Sequence, residues 1–199
     1  EIMACTALTR GRVLNCNRIS GGINAIYFAV LDEITAITYD TTVAPNQVRE
    51  IDDIDMTTHS LYKYALPIGT SSLTDTIVGS RENGTVYYTP TLSVVYNRLS
   101  RGDQEEISFL AATKTVVFAQ LNQQLANGHD VIVAMGMVNG MELNAGTMDS
   151  GAAWGDRNGY TLTFDGMETQ PFAMVKDYTA TPFDNTDSAG AIPIISTGL

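Results

Sequence analysis

The sequence predicts a mainly β fold, a β-sandwich or barrel with one short flanking α-helix and extended terminal arms. Three observations predict it. Tyr160, Leu162 and Phe164 alternate with Thr161, Thr163 and Asp165, the period of two that gives a strand one apolar and one polar face. Such stretches are separated by Asn83-Gly84, Asn127-Gly128 and Asp165-Gly166, residues that tolerate the positive φ of tight connections. Helix signals gather in only one place, after Ser100. The 199 residues suit one β domain at 25–178 between arms at 1–24 and 179–199. A chain of this length buries roughly 70% of its extended surface, so neither metal nor disulfide is required.

The first arm lacks periodicity and is set apart by Ser20-Gly21-Gly22. Arg10, Arg12 and Arg18 are three of the chain's 11 basic residues, available to an acidic neighbouring copy or to solvent. Cys5 and Cys16 lack the second pair or nearby histidine that a zinc site needs, so free thiols are expected. No apolar run approaches the roughly 18 residues of a membrane span, and no basic-then-apolar leader is evident. Residues 26–31, I-Y-F-A-V-L, are apolar on both faces, as a central strand is, and Asp32-Glu33 turns the chain into a second strand at 34–39. Residues 41–58 read as a polar segment containing Pro45. Its Asp52, Asp53 and Asp55 lack the glycine and terminal glutamate of a calcium loop.

Strands follow at 60–66, with Tyr62, Tyr64 and Leu66 opposite Lys63, and at 72–78. Arg81 to Gly84 connects the latter to the longest strand, 85–96. There Val86, Tyr88, Leu92, Val94 and Tyr96 share one face, and Thr85, Tyr87, Thr89, Thr91 and Ser93 the other. Pro90 has no ladder donor and predicts an edge or a bulge. Ser100 is positioned to cap a helix with Asp103 returning the bond, Glu105 and Glu106 suit its positive end, and Ile107, Leu110 and Ala111 share a face. A second hairpin, 115–121 and 131–137, folds around Ala126-Asn127-Gly128. Residues 140–153 read as a loop of small residues. A strand at 171–175 puts Phe172 and Met174 on one face. The apolar tail at 191–195 is expected to dock on a neighbour by strand addition.

Three segments carry a resemblance: E-N-G-T-V-Y-Y-T-P-T-L at 82–92, F-L-A-A-T-K-T-V-V-F at 109–118, and G-D-R-N-G-Y-T-L-T-F at 155–164 followed by a short acidic turn and an aromatic strand. In that order, across about 60–178, they resemble a family of phage virion proteins related to tail-tube subunits, found in phages and prophages of the Bacteroidetes type. The last segment is the most specific. The resemblance implies a tail-tube-type sandwich or barrel and a non-enzymatic role, with no catalytic, cofactor or metal residues. It also implies sixfold rings that stack into a conduit for DNA. Partners would be further copies of the chain and other tail or connector proteins, in a virion assembled in the bacterial cytoplasm. A ring or connector subunit at the head–tail junction of a short-tailed phage is the first alternative.

Charge fits that expectation. The chain has 22 acidic residues and a net charge of −11, so it lacks the basic surface that counterion release on DNA requires. An acidic wall repels phosphate and lets the polymer pass. Only 17% of residues are charged, against about 25% in ordinary soluble domains, as expected where neighbouring copies cover surface or where threonine replaces charge on a β protein.

Chemistry is sparsely signalled. His59 and His129 are the only histidines and read as exposed turn residues. No G-x-S-x-G, H-E-x-x-H, phosphate loop or dinucleotide fingerprint occurs. Residues 155–159 are bounded by glycine but precede a strand, which removes the helix terminus that binds anions. Trp154 is expected in the core. Two rival readings use the remaining candidates. A secreted carbohydrate-binding β-sandwich would stack sugars on Tyr87, Trp154 and Tyr178. A jelly-roll glycosidase would draw an acid and a base from Glu82, Glu142, Asp156 and Asp165, although the turns they occupy account for all but Glu142.

Overall fold

The computed structural model describes Arg12 and residues 19–40, 50–188 and 190–196. Cys5, Cys16, Arg10, Arg18 and Pro45 lie outside them. The chain is mainly β. In order come β1 (Ile23–Val30), β2 (Ala36–Tyr39), β3 (Glu50–Asp55), β4 (Leu61–Ala65), β5 (Ser72–Ser80), β6 (Thr85–Asn97), α1 (Arg101–Ala112), β7 (Thr115–Gln124), β8 (Asp130–Met135), β9 (Glu142–Asp149), β10 (Gly159–Asp165), β11 (Ala173–Val175) and β12 (Ile194–Ile195). A larger sheet has the order β12-β4-β1-β7-β8-β11-β3-β2, and a smaller one the order β5-β6-β10-β9.

The alternating apolar run on both faces of β1 has its reason here. Ile26 and Phe28 join Val117, Val133, Leu92, Val94, Tyr160, Leu162 and Phe164 between the two sheets. Ala25, Tyr27 and Ala29 face the other way, onto Ile51, Ile54, Phe118, Ile132 and Phe183. The strand lies between β4 and β7, so both its edges and both its faces are covered.

The smaller sheet follows the predicted pattern. Along β10, Tyr160, Leu162 and Phe164 are buried and the residues between them are not. Arg81 to Gly84 makes the β5–β6 turn, with Gly84 at φ 63. Pro90 sits where β10 leaves β6: its carbonyl accepts from Gly166 N at 3.2 Å, and Tyr88 pairs beyond it with Glu168. Pro90 is paired with Asp75 of β5, and its missing N–H falls on the other side, where the ladder to β10 has ended at Thr91.

Five expectations need correction. The polar segment contains a strand, β3, in which the pairing of Thr38 with Asp53 and Tyr39 with Ile51 leaves Asp52 as an extra residue. That bulge brings Ile51 and Ile54, three apart, into one core and breaks the period of two. The loop of small residues is strand β9, held by pairing with β10 although nearly all of it is exposed. In β11 the buried residues are Ala173 and Val175, while Met174 faces outward. On α1, Ile107 and Leu110 lean on the core and Ala111 is exposed.

The fifth concerns the carboxy-terminal tail, which adds a strand to its own chain. β12 pairs in parallel with β4, and Ile54 N donates to Thr186 O at 2.7 Å. Along the same segment Phe183 and Ile192 are buried. Phe183 stacks edge-on against Tyr27 and Phe118, with centroids at 5.0 and 5.3 Å. An apolar face that strands alone leave open draws in this segment.

Candidate functional site

The smaller sheet has one face on the core and one turned away from it. The outer face pairs Ser72 with Ser93, Thr74 with Thr91, Ser93 with Thr163, and Thr91 with Asp165. It is a lattice of hydroxyls. None of the four strands contains lysine or arginine, while they hold Asp75, Glu142, Asp149 and Asp165. The cations that lie against these strands are already engaged: the Arg157 guanidinium donates to Thr161 Oγ1, and Lys114 Nζ is 3.5 Å from Glu142.

Among the described residues no further strand pairs with either border of this sheet, β5 or β9. β9 has no charge between Glu142 and Asp149, and the one charge of β5, Asp75, turns back to accept from Phe172 N at 3.0 Å. Beyond Pro90 the β5–β6 hairpin extends past the end of β10, and its Ile77 and Val86 are 68% and 62% exposed. Its base is held by Glu168, only 4% exposed, whose Oε1 accepts from Val138 N and Asn139 N at 3.3 and 2.9 Å.

The β9–β10 connection is built by its own side chains. Asp156 Oδ2 accepts from Ala152 N and Ala153 N at 2.9 and 2.7 Å; the Ala153 bond, then the Ala152 bond, hold the carboxyl below its usual range. The Arg157 guanidinium donates to Tyr96 O, Tyr160 O and Thr161 Oγ1. Asn158 receives Arg98 N and Leu99 N. Trp154, expected in the core, stands on this loop 108% exposed, since the turn bonds hold the backbone away from the sheets.

His129, expected to be exposed, is half-buried. Its Nδ1 lies 2.8 Å from Asp177 Oδ1, and its ring stacks on Tyr178 with centroids 4.4 Å apart. Asn127 Nδ2 donates to Asp177 Oδ2, and Asp130 N donates to the Tyr178 hydroxyl at 3.1 Å. Burial works to raise Asp177, but hydrogen bonds from His129 and Asn127 outweigh it and hold the carboxyl low. The cluster fastens the chain after β11 to the β7–β8 turn. Deeper in, the Tyr27 hydroxyl donates to Gln120 Oε1 at 2.9 Å, and burial, with Tyr178 and Asp130 nearby, pushes it up to about 12.

The remaining candidates are largely scattered. Tyr178 stacks on His129 instead of standing free. Tyr87 lies ten residues along β6 from Asn97, about 33 Å at ~3.3 Å per residue, whereas the Trp154 loop is bonded to the Asn97 end; the three aromatics form no common platform. Of the four carboxylates only Glu142 and Asp165 are brought together, as direct ladder partners. They lie on an open sheet face, with Glu142 3.5 Å from Lys114 Nζ and Asp165 accepting from Asn144 Nδ2 at 2.6 Å. Glu82 is in the hairpin turn, and Asp156 at the opposite end of β10. His59 Nδ1 is 3.4 Å from Glu33 Oε1. Lys176 pairs with Asp52 at 2.9 Å. Among the described residues no three His, Cys, Asp or Glu side chains gather as a metal site, and no helix is long and apolar enough to cross a membrane.

The open edges and the exposed indole were not foreseeable from periodicity, because β9 has none and tryptophan composition points inward. Comparison with protein-family models, curated proteins and solved structures finds no match to this chain.

Proposed function

We propose that the chain is a structural subunit of a phage virion that assembles with copies of itself into rings, sixfold as in the tail-tube subunits it resembles in sequence, through which DNA passes. The observation that carries this reading is the pair of open edges on the smaller sheet. A lone subunit leaves β5 and β9 as long, sparsely charged templates, and monomers guard such edges with lysine, proline or covering loops. Pairing β9 of one copy with β5 of the next continues the sheet from subunit to subunit, a head-to-tail contact that closes into a ring when the rotation per copy allows. The outer hydroxyl face then lines a bore without lysine or arginine on its strands, and with carboxylates along it. DNA slides along such a wall without being held.

The same contact serves a ring at the head–tail junction, and subunit number separates the two roles. Size-exclusion chromatography with light scattering, followed by negative-stain imaging, tests the reading. Rings or stacked tubes are the expected result, and six copies per ring favour the tube. A protein that stays a compact monomer at every concentration overturns it.

A further inference from the structure

Trp154 is the chain's only tryptophan and does nothing for its own fold. At 108% exposure its indole packs on none of the described residues of its own subunit. The loop beneath it is nonetheless fixed, by Gly151 N and Asp149 Oδ1 at 2.9 Å and by the Asp156, Arg157 and Asn158 bonds already described. A fixed loop holding a free aromatic ring sacrifices little freedom when the ring is covered, the condition under which aromatic anchors dominate an interface.

A matching hollow lies elsewhere on the same chain. Between α1 and the β4 side of the larger sheet runs a groove of about 250 Å³ walled by Phe28, Tyr62, Tyr64, Phe109 and Leu110, with Glu106 at its rim. It exists because α1 buries no residue fully and β12 is too short to cover more than Leu61 and Tyr62 of β4. Phe109 is left 58% exposed. An apolar cavity of about 150 Å³ accepts a benzene, so this groove has room for a bicyclic indole. The polar ends match as well: the indole carries one N–H donor and no acceptor, and Glu106, in the wall of the hollow, brings a carboxylate that accepts.

We propose that Trp154 of one copy seats in the α1–β4 groove of another, with Glu106 accepting the indole N–H. The inference rests on the self-assembly reading and adds to it the contact that sets specificity. Backbone pairing along polar, glycine-containing edges such as β9 specifies register weakly, whereas a knob that fits one hollow fixes it. Knob and hollow are different surfaces of one chain, so the contact propagates from copy to copy.

Because Trp154 is the sole tryptophan, its fluorescence in the full chain reports its own environment. Emission and acrylamide quenching are followed across a concentration series with light scattering in parallel, for the wild type, Trp154→Ala and Phe109→Glu. Both changes are at exposed positions, and circular dichroism checks that each variant is folded. The expected result is a blue shift and loss of quenching as the wild type assembles, with association about 30-fold weaker or more in both variants, the cost of losing a hot-spot side chain. Assembly of the wild type with Trp154 still fully quenchable, or assembly of either variant at wild-type concentrations, overturns the inference and leaves self-assembly standing. Absence of assembly in the wild type overturns both.

Discussion

The Tyr160 hydroxyl and the backbone of Ser100 hydrogen-bond in both directions: the hydroxyl accepts from Ser100 N at 3.2 Å and donates to Ser100 O at 3.1 Å. Ser100 Oγ in turn accepts from Asp103 N at 3.1 Å. The return bond expected from Asp103 is thus supplied by a strand of the smaller sheet, and the start of α1 is tied to the core. Tyr160→Phe keeps the ring and removes both bonds. A loss of about 1–3 kcal/mol is expected, seen as a lower urea midpoint with unchanged slope, while Ser100→Ala costs about 1 kcal/mol.

Phe183 closes the second core at φ 63, in contact with Tyr27 and Phe118. Phe183→Ala is expected to cost about 3–5 kcal/mol. Hydrogen exchange in the same variant should rise at Ile54 and Leu61, whose N–H groups bond to Thr186 O and Pro193 O of the tail. A variant as stable as the wild type would mean that the tail is dispensable for the fold.

Acid should release the same region. Asp184 accepts from Thr179 N, Ala180 N and Thr181 N at 2.8, 2.7 and 3.1 Å; the bonds from Thr179 and Thr181, against some desolvation, lower its carboxyl. Asp177 is also low. A carboxyl with a folded pKa below the unfolded value of about 3.9 contributes stability that is complete above that value and is lost as pH falls through the folded one. The urea midpoint should therefore drop steeply below about pH 4. The drop should be shallower in Asp184→Asn, whose starting stability is already reduced. Equal steepness in the two proteins would assign the acid response to other groups.

The open edge offers a direct intervention. Thr147 of β9 is exposed, on the uncharged stretch beside β10. Thr147→Lys should leave subunit stability within about 0.5 kcal/mol of wild type while suppressing ring formation, because an edge lysine must be desolvated when a second strand pairs there. Light scattering and thermal melts on one preparation separate the two effects.

What the sequence disclosed depended on whether a strand's neighbours impose a pattern on it. β10 and β6 press one face on the core, and Leu162, Phe164, Leu92 and Val94 record that contact every second residue. β3 lost its pattern to the bulge at Asp52. β9 never had one, since its pairing comes from β10 and its side chains stay exposed. His129 reads as exposed because its partner Asp177 is 48 residues away. Trp154 reads as buried because hydrophobicity says where a side chain gains by being covered, not whether its own fold covers it.

The order in which the strands are made matters to the cell that makes them. β1 is the first described strand to leave the ribosome, yet its neighbour in the larger sheet, β7, comes far later; the Tyr27–Gln120 contact spans 93 residues. β4 is available on one side much sooner, but synthesis at roughly 5–20 residues per second leaves the other edge of I-Y-F-A-V-L without its partner for about 5–20 s. Pairings so distant along the chain also close slowly once both strands are present. During that interval the most apolar strand of the molecule is open to any other nascent copy. Slower, cooler expression should favour the native fold over inclusion bodies by thinning the population of half-made chains.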